Sequence, residues 1–250
     1  MYDIAFLDEL AANARPARVQ QALEGWRLRA SDGVTRRANS VLTNGPVPSC
    51  PDWFEAIEEF YRRQGLPSRY QISTASPPGL DSLLEERGYS FFSQTSVMVG
   101  DVRGVLSGNE RVSGVELKIE EQVSENWLAV FMEAEGFPAS QEGAYRFTFG
   151  SLGPRAAYVT ALIEGQPAAV GMSVAERGWA GLFSIVTFPE FRRRGIGRDV
   201  VRGLAICAKG AGAEQLYLQV VASNEPAVRL YEQLGFEALY SYHYREKYFG

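Results

Sequence analysis

The stretch that decides the fold is Phe188-Pro189-Glu190-Phe191-Arg192-Arg193-Arg194-Gly195-Ile196-Gly197-Arg198-Asp199, which stands between two apolar segments. The run before it, Leu182–Thr187, is rich in β-branched residues and predicts a strand. The run after it, Val200–Lys209, has apolar residues at helical spacing and predicts a helix. The first N–H groups of a helix lack intrahelical acceptors and carry the positive end of its dipole. Because Gly195 and Gly197 let the backbone approach a bulky anion, the stretch predicts a phosphate site.

The arginines and glycines of this turn follow the pattern R-x-x-G-x-G, carried by Arg192, Gly195 and Gly197. The spacing differs from those of the P-loop and of the dinucleotide-binding fingerprint. It resembles the pyrophosphate loop of the GNAT N-acetyltransferase superfamily, whose members bind acetyl-CoA. Taken alone, the loop leaves one alternative open, an ordinary strand–loop–helix joint with a solvated arginine cluster.

A second segment carries the same resemblance. Gln215–Val221 predicts a strand, Asn224 suits a helix N-cap and Pro226 suits the first turn. Gly235 suits the C-terminal stop of that helix. The pattern N-x-x-A-x-x-x-Y-x-x-x-G-F, which starts at Asn224, is similar to the second motif of the GNAT superfamily. The resemblance extends from about Val115 to the end of the chain.

The predicted elements of this half follow the order β-α-α-β-β-β-α-β-α-β, which is the order of the GNAT fold. The segment 100–114 is rich in glycine and lacks an apolar pattern, so the domain boundary is placed there. The predicted domains are 1–110, a degenerate GNAT-like domain, and 111–250, a complete catalytic GNAT N-acetyltransferase domain. The expected fold class is α/β (α+β), with two tandem acetyltransferase-like domains, each a mixed, mostly antiparallel sheet flanked by helices.

The degenerate domain is inferred from an internal repeat. Shifting the chain by 147 positions lays Tyr70–Tyr89 on Tyr217–Phe236 without a gap. Leu84 then faces Tyr231, and the first copy has no R-x-x-G-x-G between its strand and its helix. The alternative is that two unrelated strand–helix units share turn chemistry.

The resemblance implies roles for individual residues. In the family, the strand before the pyrophosphate loop splays from its neighbour and offers its backbone to the pantetheine arm. That strand end corresponds here to Ile185, Val186 and Thr187, and the N–H of Val186 is the expected donor to the thioester oxygen. The expected cradle of the pyrophosphate consists of Arg192, Arg193, Arg194, Gly195, Ile196 and Gly197.

Two side chains of the second motif also carry over. Asn224 is expected to bind the pantetheine amide region. Tyr231 is expected to be the general acid that protonates the leaving thiolate. A core aromatic is the alternative for Tyr231, because Leu84 stands at the matching place in the other copy.

The general base is harder to assign. Several family members carry a glutamate five residues before the motif asparagine, where this chain has Gln219. A glutamine can orient a water but does not take a proton at neutral pH. Either the base lies elsewhere in the chain or the amine arrives partly neutral. Glu133 and Glu135 are candidates for amine recognition or for the base, with solvated helix-end carboxylates as the alternative.

The composition limits the classes of partner that the chain is expected to bind. The net charge of −5 argues against a nucleic-acid binder, and the single histidine, His243, argues against a His-based metal site. The first residues show no basic region followed by an apolar block, and no apolar run approaches 18 residues, so no membrane association and a cytoplasmic location are expected. The expected activity is acetyl transfer from acetyl-CoA to a primary amine of a small molecule or peptide. A weakly catalytic CoA-binding sensor and an unrelated binding module remain alternatives, and the oligomeric state is left open.

Overall fold

The computed structural model describes residues 3–107 and 112–249, and its chain divides into two compact units. One unit comprises Met1–Ser96 with Tyr240–Gly250, and the other comprises Val97–Leu239. These bounds differ from the predicted domains 1–110 and 111–250, because the end of the last strand pairs with a strand of the first unit. The predicted boundary itself falls at 108–111, outside the described residues. The tandem acetyltransferase arrangement therefore stays a prediction.

The first unit is a mixed sheet with three helices. Its sheet has the order β1-β2-β3-β4-β11, and neighbouring strands are antiparallel except for the parallel pair β3 and β4. Its elements are α1 (Ile4–Asn13), β1 (Val19–Leu23), β2 (Trp26–Ala30), β3 (Val41–Leu42), α2 (Trp53–Arg63), β4 (Ser68–Ile72), α3 (Leu80–Glu86), the start of β5 (Ser90–Asp101) and the end of β11 (Glu237–Lys247).

An aromatic core holds the first unit together. Trp26, Phe54, Tyr70 and Tyr89 are buried, and Tyr70 meets both Trp26 and Tyr89 edge to face. Each such ring buries on the order of 150–250 Å² of surface, so these contacts dominate the packing. Trp26 lies on β2, Tyr70 lies on β4, and Phe54 lies on α2.

One strand of the first unit is shorter than predicted. The pattern of 37–42 predicts a strand, but β3 contains only Val41 and Leu42. The side chain of Asn39 explains the difference. Its Nδ2 donates to the carbonyls of Ser31 and Thr35, and its Oδ1 accepts from the N–H of Ser31 at 2.6 Å. These bonds hold the segment in a turn, as asparagine side chains do when they compete with a ladder.

The second unit contains the two motifs. Its sheet has the order β10-β9-β8-β7-β6, antiparallel except for the parallel pair β9 and β10. Its elements are the end of β5, α4 (Val102–Leu106), β6 (Val115–Glu120), α5 (Glu125–Glu135), α6 (Glu142–Gly150), β7 (Arg155–Ile163), β8 (Gln166–Glu176), β9 (Trp179–Thr187), α7 (Ile196–Gly210), β10 (Gln215–Val221), α8 (Glu225–Gln233) and the start of β11.

Helices cover both faces of the second sheet. On one face, Val200 and Leu204 of α7 pack with Leu182 of β9 and Leu218 of β10 in a buried cluster. On the other face, the indole Nε1 of Trp127 in α5 donates to the carbonyl of Val159 in β7 at 3.1 Å. Among the described residues, no helix is long and apolar enough to cross a membrane.

The repeat predicted from sequence has a counterpart in the elements. β4 and β10 start at Ser68 and Gln215, and α3 and α8 end at Glu86 and Gln233, which are the same 147 positions apart. Both helices end with the same contact, in which the N–H of Tyr89 donates to Leu84 and the N–H of Phe236 donates to Tyr231. The correspondence supports a duplication, which stays a proposal.

Candidate functional site

Strands β9 and β10 separate halfway along their length. Among the described residues, their parallel pairing runs from Gln215 opposite Trp179 to Leu218 opposite Leu182. Beyond that point β9 continues, paired with β8, to Thr187, and β10 continues to Val221. We call the gap between 183–187 of β9 and 219–221 of β10 the split. It is the opening that the resemblance implied at this strand end.

A bulge shapes the β9 side of the split. The register of β8 against β9 shifts between Val170 and Met172, and Ser184 has a φ of 53°. Gly171 lies opposite the bulge, where an added Cβ would stand 2.8 Å from Val200 Cγ1 and 3.1 Å from Ile185 Cγ1. Only a residue without a Cβ lets α7 pack this closely on the bulged strand. The bulge then redirects the backbone of β9, as bulges beside functional sites do.

The register decides which N–H groups of β9 face the split. The N–H of Phe188 donates to the carbonyl of Ala168 at 3.0 Å, and Val186 stands opposite Val170 in the same register. Hydrogen-bonded pairs alternate along an antiparallel ladder, so the N–H of Val186 also points to β8. The N–H groups of Ile185 and Thr187 point the other way, to the split. The register therefore argues against Val186 as the donor predicted from sequence and favours Ile185.

The turn between β9 and α7 presents a row of backbone donors. Arg193 and Gly195 have positive φ values of 61° and 82°, and Gly195 is the N-cap of α7. Within the described residues, the N–H groups of 193–197 have no acceptor, whereas those of Arg192 and Arg198 donate to the carbonyls of Pro189 and Gly195. Consecutive N–H groups at a helix start make an anion-binding concavity. The predicted pyrophosphate residues thus lie together in one cradle, in which 192–195 are exposed, Gly197 is half-buried and Ile196 is buried.

The arginines of this turn have different tasks. The Nε of Arg192 donates to the carbonyl of Thr187 at 3.0 Å, which closes the turn onto the end of β9. The guanidinium of Arg194 lies over the ring of Phe191, 5.6 Å from its centroid. The Nη2 of Arg198 donates to Oε1 of Gln233 at 3.4 Å. Arg193 and Arg194 are exposed, and their charge lies beside the donor row.

A buried carboxylate beneath the cradle was not predicted from sequence. Oδ2 of Asp199 accepts the N–H of Val112 at 3.0 Å, and its other oxygen is buried with no partner among the described residues. Val112 also lies against Gly195, where an added Cβ would stand 2.9 Å from Val112 Cγ2. Asp199 thus fixes the segment that supports the left-handed N-cap. Its only sequence signal is a carboxylate in the first turn of a helix.

The second motif forms helix α8 as predicted. Asn224 is its N-cap, and Oδ1 of Asn224 accepts the N–H of Ala227 at 3.3 Å. The amide Nδ2 of Asn224 is exposed at the end of β10 and is left as a donor.

Tyr231 lies on the α7 and α8 side of the sheet. It is 8% exposed and belongs to the cluster that contains Leu216, Leu218 and Val220 of β10. Its ring meets that of Phe236 at 6.0 Å between centroids. Burial raises the pKa of the Tyr231 phenol to about 12, and no hydrogen bond contributes to the shift. The phenol therefore holds its proton across the neutral range.

Gln219 lies on the opposite side of the sheet. Side chains alternate along β10, so Gln219 shares a face with Tyr217, whose ring packs edge-on against Phe183. Its Oε1 is buried and meets no donor among the described residues. Gln219 is the first residue of β10 after its pairing with β9 ends, so this orphaned acceptor lies at the split.

The two glutamates of α5 lie at its C-terminal end. Glu133 and Glu135 are exposed, and the N–H of Gly136 closes the helix by donating to the carbonyl of Glu133. Their exposure favours solvated carboxylates over a base held in the sheet.

The sequence matches one protein family over nearly its whole length. The family model described as "Probable histone acetyltransferase Rv0428c C-terminal" matches residues 2–249. The chain is 36% identical over 247 residues to the "Uncharacterized N-acetyltransferase YobR" of Bacillus subtilis (strain 168), covering 99% of this chain and 100% of that protein. It is 35% identical over 103 residues to the ribosomal protein bS18-alanine N-acetyltransferase of Salmonella typhimurium (strain LT2), covering 41% of this chain and 67% of that protein.

The fold has relatives among solved structures. A GCN5-related N-acetyltransferase from Kribbella flavida superimposes with a TM-score of 0.73 at 18% identity, covering 100% of this chain and 97% of that one. The chain therefore belongs to the Rv0428c C-terminal acetyltransferase family within the GNAT superfamily, and it is an N-acetyltransferase.

Proposed function

We propose that the protein transfers an acetyl group from acetyl-CoA directly to a primary amine of a small molecule or peptide. The observation that carries the proposal is the row of five N–H groups at 193–197, which have no acceptor in the part of the chain that the structure describes and which follow the point where β9 and β10 separate. A donor row of this kind fits the pyrophosphate of a CoA thioester, and the split fits its linear arm. When bound, acetyl-CoA supplies the activated acetyl thioester.

Backbone N–H groups and positively charged side chains would together bind such a cofactor. The N–H groups of 193–197 would hold the pyrophosphate, and the helix dipole of α7 would add attraction for negative charge. The exposed guanidinium groups of Arg193 and Arg194 neutralise the remaining charge. The exposed amide Nδ2 of Asn224 would donate to the pantetheine amide region.

The bulge of β9 supplies the donor for acyl transfer. The N–H of Ile185 faces the split and is fixed by the neighbouring register, so it needs no reorganisation to meet an oxygen that gains negative charge. Removing one preorganised donor of this kind typically lowers kcat by about 10²–10³-fold.

Tyr231 supplies a proton on the α8 side of the split. A thiol has a pKa of about 8.5 in water, so a phenol with a pKa of about 12 gives up its proton only to a thiolate whose own pKa rises in the same buried site. The phenol stays protonated at neutral pH and is ready to act. Positioned donors contribute about 10²–10⁴-fold to rate.

The amine acceptor enters from the side of Gln219. The amide Oε1 of Gln219 lacks a donor, and an incoming amine has N–H groups to give it. A primary amine as acceptor is supported by the bS18-alanine N-acetyltransferase, whose name specifies an alanine.

The first unit is proposed to be a diverged second copy of the acetyltransferase fold. The matching starts of β4 and β10 and the matching ends of α3 and α8 support this proposal. The copy has Asn44-Gly45-Pro46-Val47-Pro48 where the cofactor loop would lie. The second unit is thus the one that binds cofactor.

The proposal is tested by titrating CoA and acetyl-CoA calorimetrically and by measuring thiol release over a panel of amino acids, polyamines, aminoglycosides and peptides. We expect CoA binding and amine-dependent thiol release. The absence of CoA binding to folded protein would refute the proposal.

A further inference from the structure

The polar side chain that faces the split from β10 is an amide and not a carboxylate. Gln219 follows Leu218, the last residue of β10 that pairs with β9. Its Oε1 is buried, and among the described residues nothing donates to it. A buried acceptor without a donor is destabilising, so a group that donates to it there is favoured.

An amide oxygen accepts a hydrogen bond but does not take a proton at neutral pH. We propose that the acceptor amine arrives at the split already neutral, and that the enzyme therefore selects weakly basic amines, the α-amino groups of peptides, over the side chains of lysine. The inference rests on the proposed function. Gln219 orients the neutral amine by accepting one of its N–H groups, and the proton of the ammonium ion is lost to water beforehand.

The ionisable groups of the elements around Gln219 have other positions or partners. β9 carries no ionisable side chain from Trp179 to Thr187. On α7, Asp199 is the one buried carboxylate of the second unit among the described residues, and it accepts from Val112. The remaining groups are Tyr217 on β10, Tyr231 and the bonded pair Glu225–Arg229 on α8, Glu176 paired with Arg177 on β8, Asp101 at the α4 N-cap, and on α5 Glu125 bonded to Arg146 with the exposed Glu133 and Glu135.

Protonation of the thiolate and deprotonation of the amine take place on opposite sides of the split. Tyr231 lies on the α8 side and keeps its proton, because burial raises its pKa to about 12. Gln219 lies on the α5 side, where the amine, already neutral when it arrives, gives a second proton to water once its nitrogen has bonded to the acetyl carbon. Because the amide of Gln219 does not take a proton at neutral pH, water accepts the proton of the amine.

The size of the selection follows from amine basicity. An α-amino group has a pKa of about 7.8 and a lysine side chain about 10.4, so about one third of the former and about one in 800 of the latter is neutral at pH 7.5. The availability of neutral amine therefore differs by about 250-fold. The greater nucleophilicity of the more basic amine offsets part of this ratio.

The test compares two peptides of one sequence. One has a free N-terminus and its lysine replaced by norleucine, and the other has an acetylated N-terminus and one free lysine. We measure kcat/KM of the full-length protein with acetyl-CoA from pH 6.5 to 10. We expect kcat/KM to rise about tenfold per pH unit and to level off near pH 8 for the first peptide, while it still rises at pH 10 for the second. At pH 7.5 the first peptide is expected to be better by about tenfold or more.

A common midpoint below pH 7 for both peptides would overturn the inference, because it would report a base on the enzyme. Equal kcat/KM at pH 7.5 would also overturn it. The variant Gln219→Glu adds a carboxylate in the same place, and we expect it to move the midpoint of both peptides to one lower pH and to raise lysine acetylation. Failure of every amine to release thiol would contradict the proposed function instead, so the two failures are distinguishable.

Discussion

The substitution Gly195→Ala tests the row of N–H donors at 193–197, and Gly212→Ala is its matched control. Gly195 has a φ of 82°, and an added Cβ would stand 2.9 Å from Val112 Cγ2. Gly212, beyond the other end of α7, has a φ of 84° and open space around an added Cβ. The 15 residues of α7 separate the two glycines by about 22 Å, so Gly212→Ala has the same backbone conformation away from the cradle.

The two variants are expected to lose similar stability. A left-handed conformation costs an L-residue about 1–2 kcal/mol relative to glycine, and this applies at both positions. At Gly195 the Val112 contact must also shift. We expect the free energy of unfolding, measured with urea, to fall by about 1–2 kcal/mol in Gly212→Ala and by slightly more in Gly195→Ala.

The affinity for CoA is expected to differ between Gly195→Ala and Gly212→Ala. A hydrogen bond to a charged group contributes about 1.5–3 kcal/mol, so misdirecting a single N–H of 193–197 weakens binding about tenfold or more. Calorimetry with CoA should show this loss in Gly195→Ala and an unchanged dissociation constant in Gly212→Ala. An unchanged constant in folded Gly195→Ala would refute the cradle, and equal losses in both variants would point to general destabilisation.

Replacing Tyr231 by Phe should preserve CoA affinity and lower kcat by about 10²-fold, as measured by thiol release, and an unchanged kcat would remove Tyr231 from the mechanism. Because folding raises the pKa of Tyr231 to about 12, the stability that its neutral form contributes is present below about pH 10 and is lost as the pH rises towards 12. Between about pH 10 and pH 12, the free energy of unfolding measured with urea should therefore fall more in the wild-type protein than in Tyr231→Phe. Equal falls in the two proteins would contradict the raised pKa of Tyr231. Asp199→Ala should lower the free energy of unfolding by about 1–3 kcal/mol, since the N–H of Val112 loses its acceptor, whereas Asp199→Asn should recover most of it; equal losses would show that this bond does not matter. Calorimetry should give one CoA per chain, and two would show that the first unit also binds cofactor.

The sequence predicted the elements whose ends have a local chemical cause. The sequence pattern of 125–135 predicts an amphipathic helix, and α5 has these bounds because the hydroxyl of Ser124 accepts the N–H of Trp127 and Gly136 takes a left-handed conformation. Strand β9 was predicted from its β-branched run. Strand β1 was missed because most of its residues are exposed, so Val19–Leu23 shows no apolar alternation.

The parts of the site that were missed depend on contacts distant in sequence. The bond between Asp199 and Val112 joins positions 87 residues apart, and no local pattern announces it. The proposal of Ile185 in place of Val186 as donor depends on a bulge opposite Gly171, and a strand pattern does not show a bulge. An isolated glycine inside a strand was the available signal.

The most direct test of the account is thiol release from acetyl-CoA by the wild-type protein, with and without an amine, beside Tyr231→Phe and Gly195→Ala. We predict release that depends on the amine, a strong reduction in Tyr231→Phe at unchanged CoA affinity, and a loss in Gly195→Ala that saturating acetyl-CoA restores in part. Tight CoA binding with no amine-dependent release over the whole panel would contradict the account and would support a CoA-binding sensor.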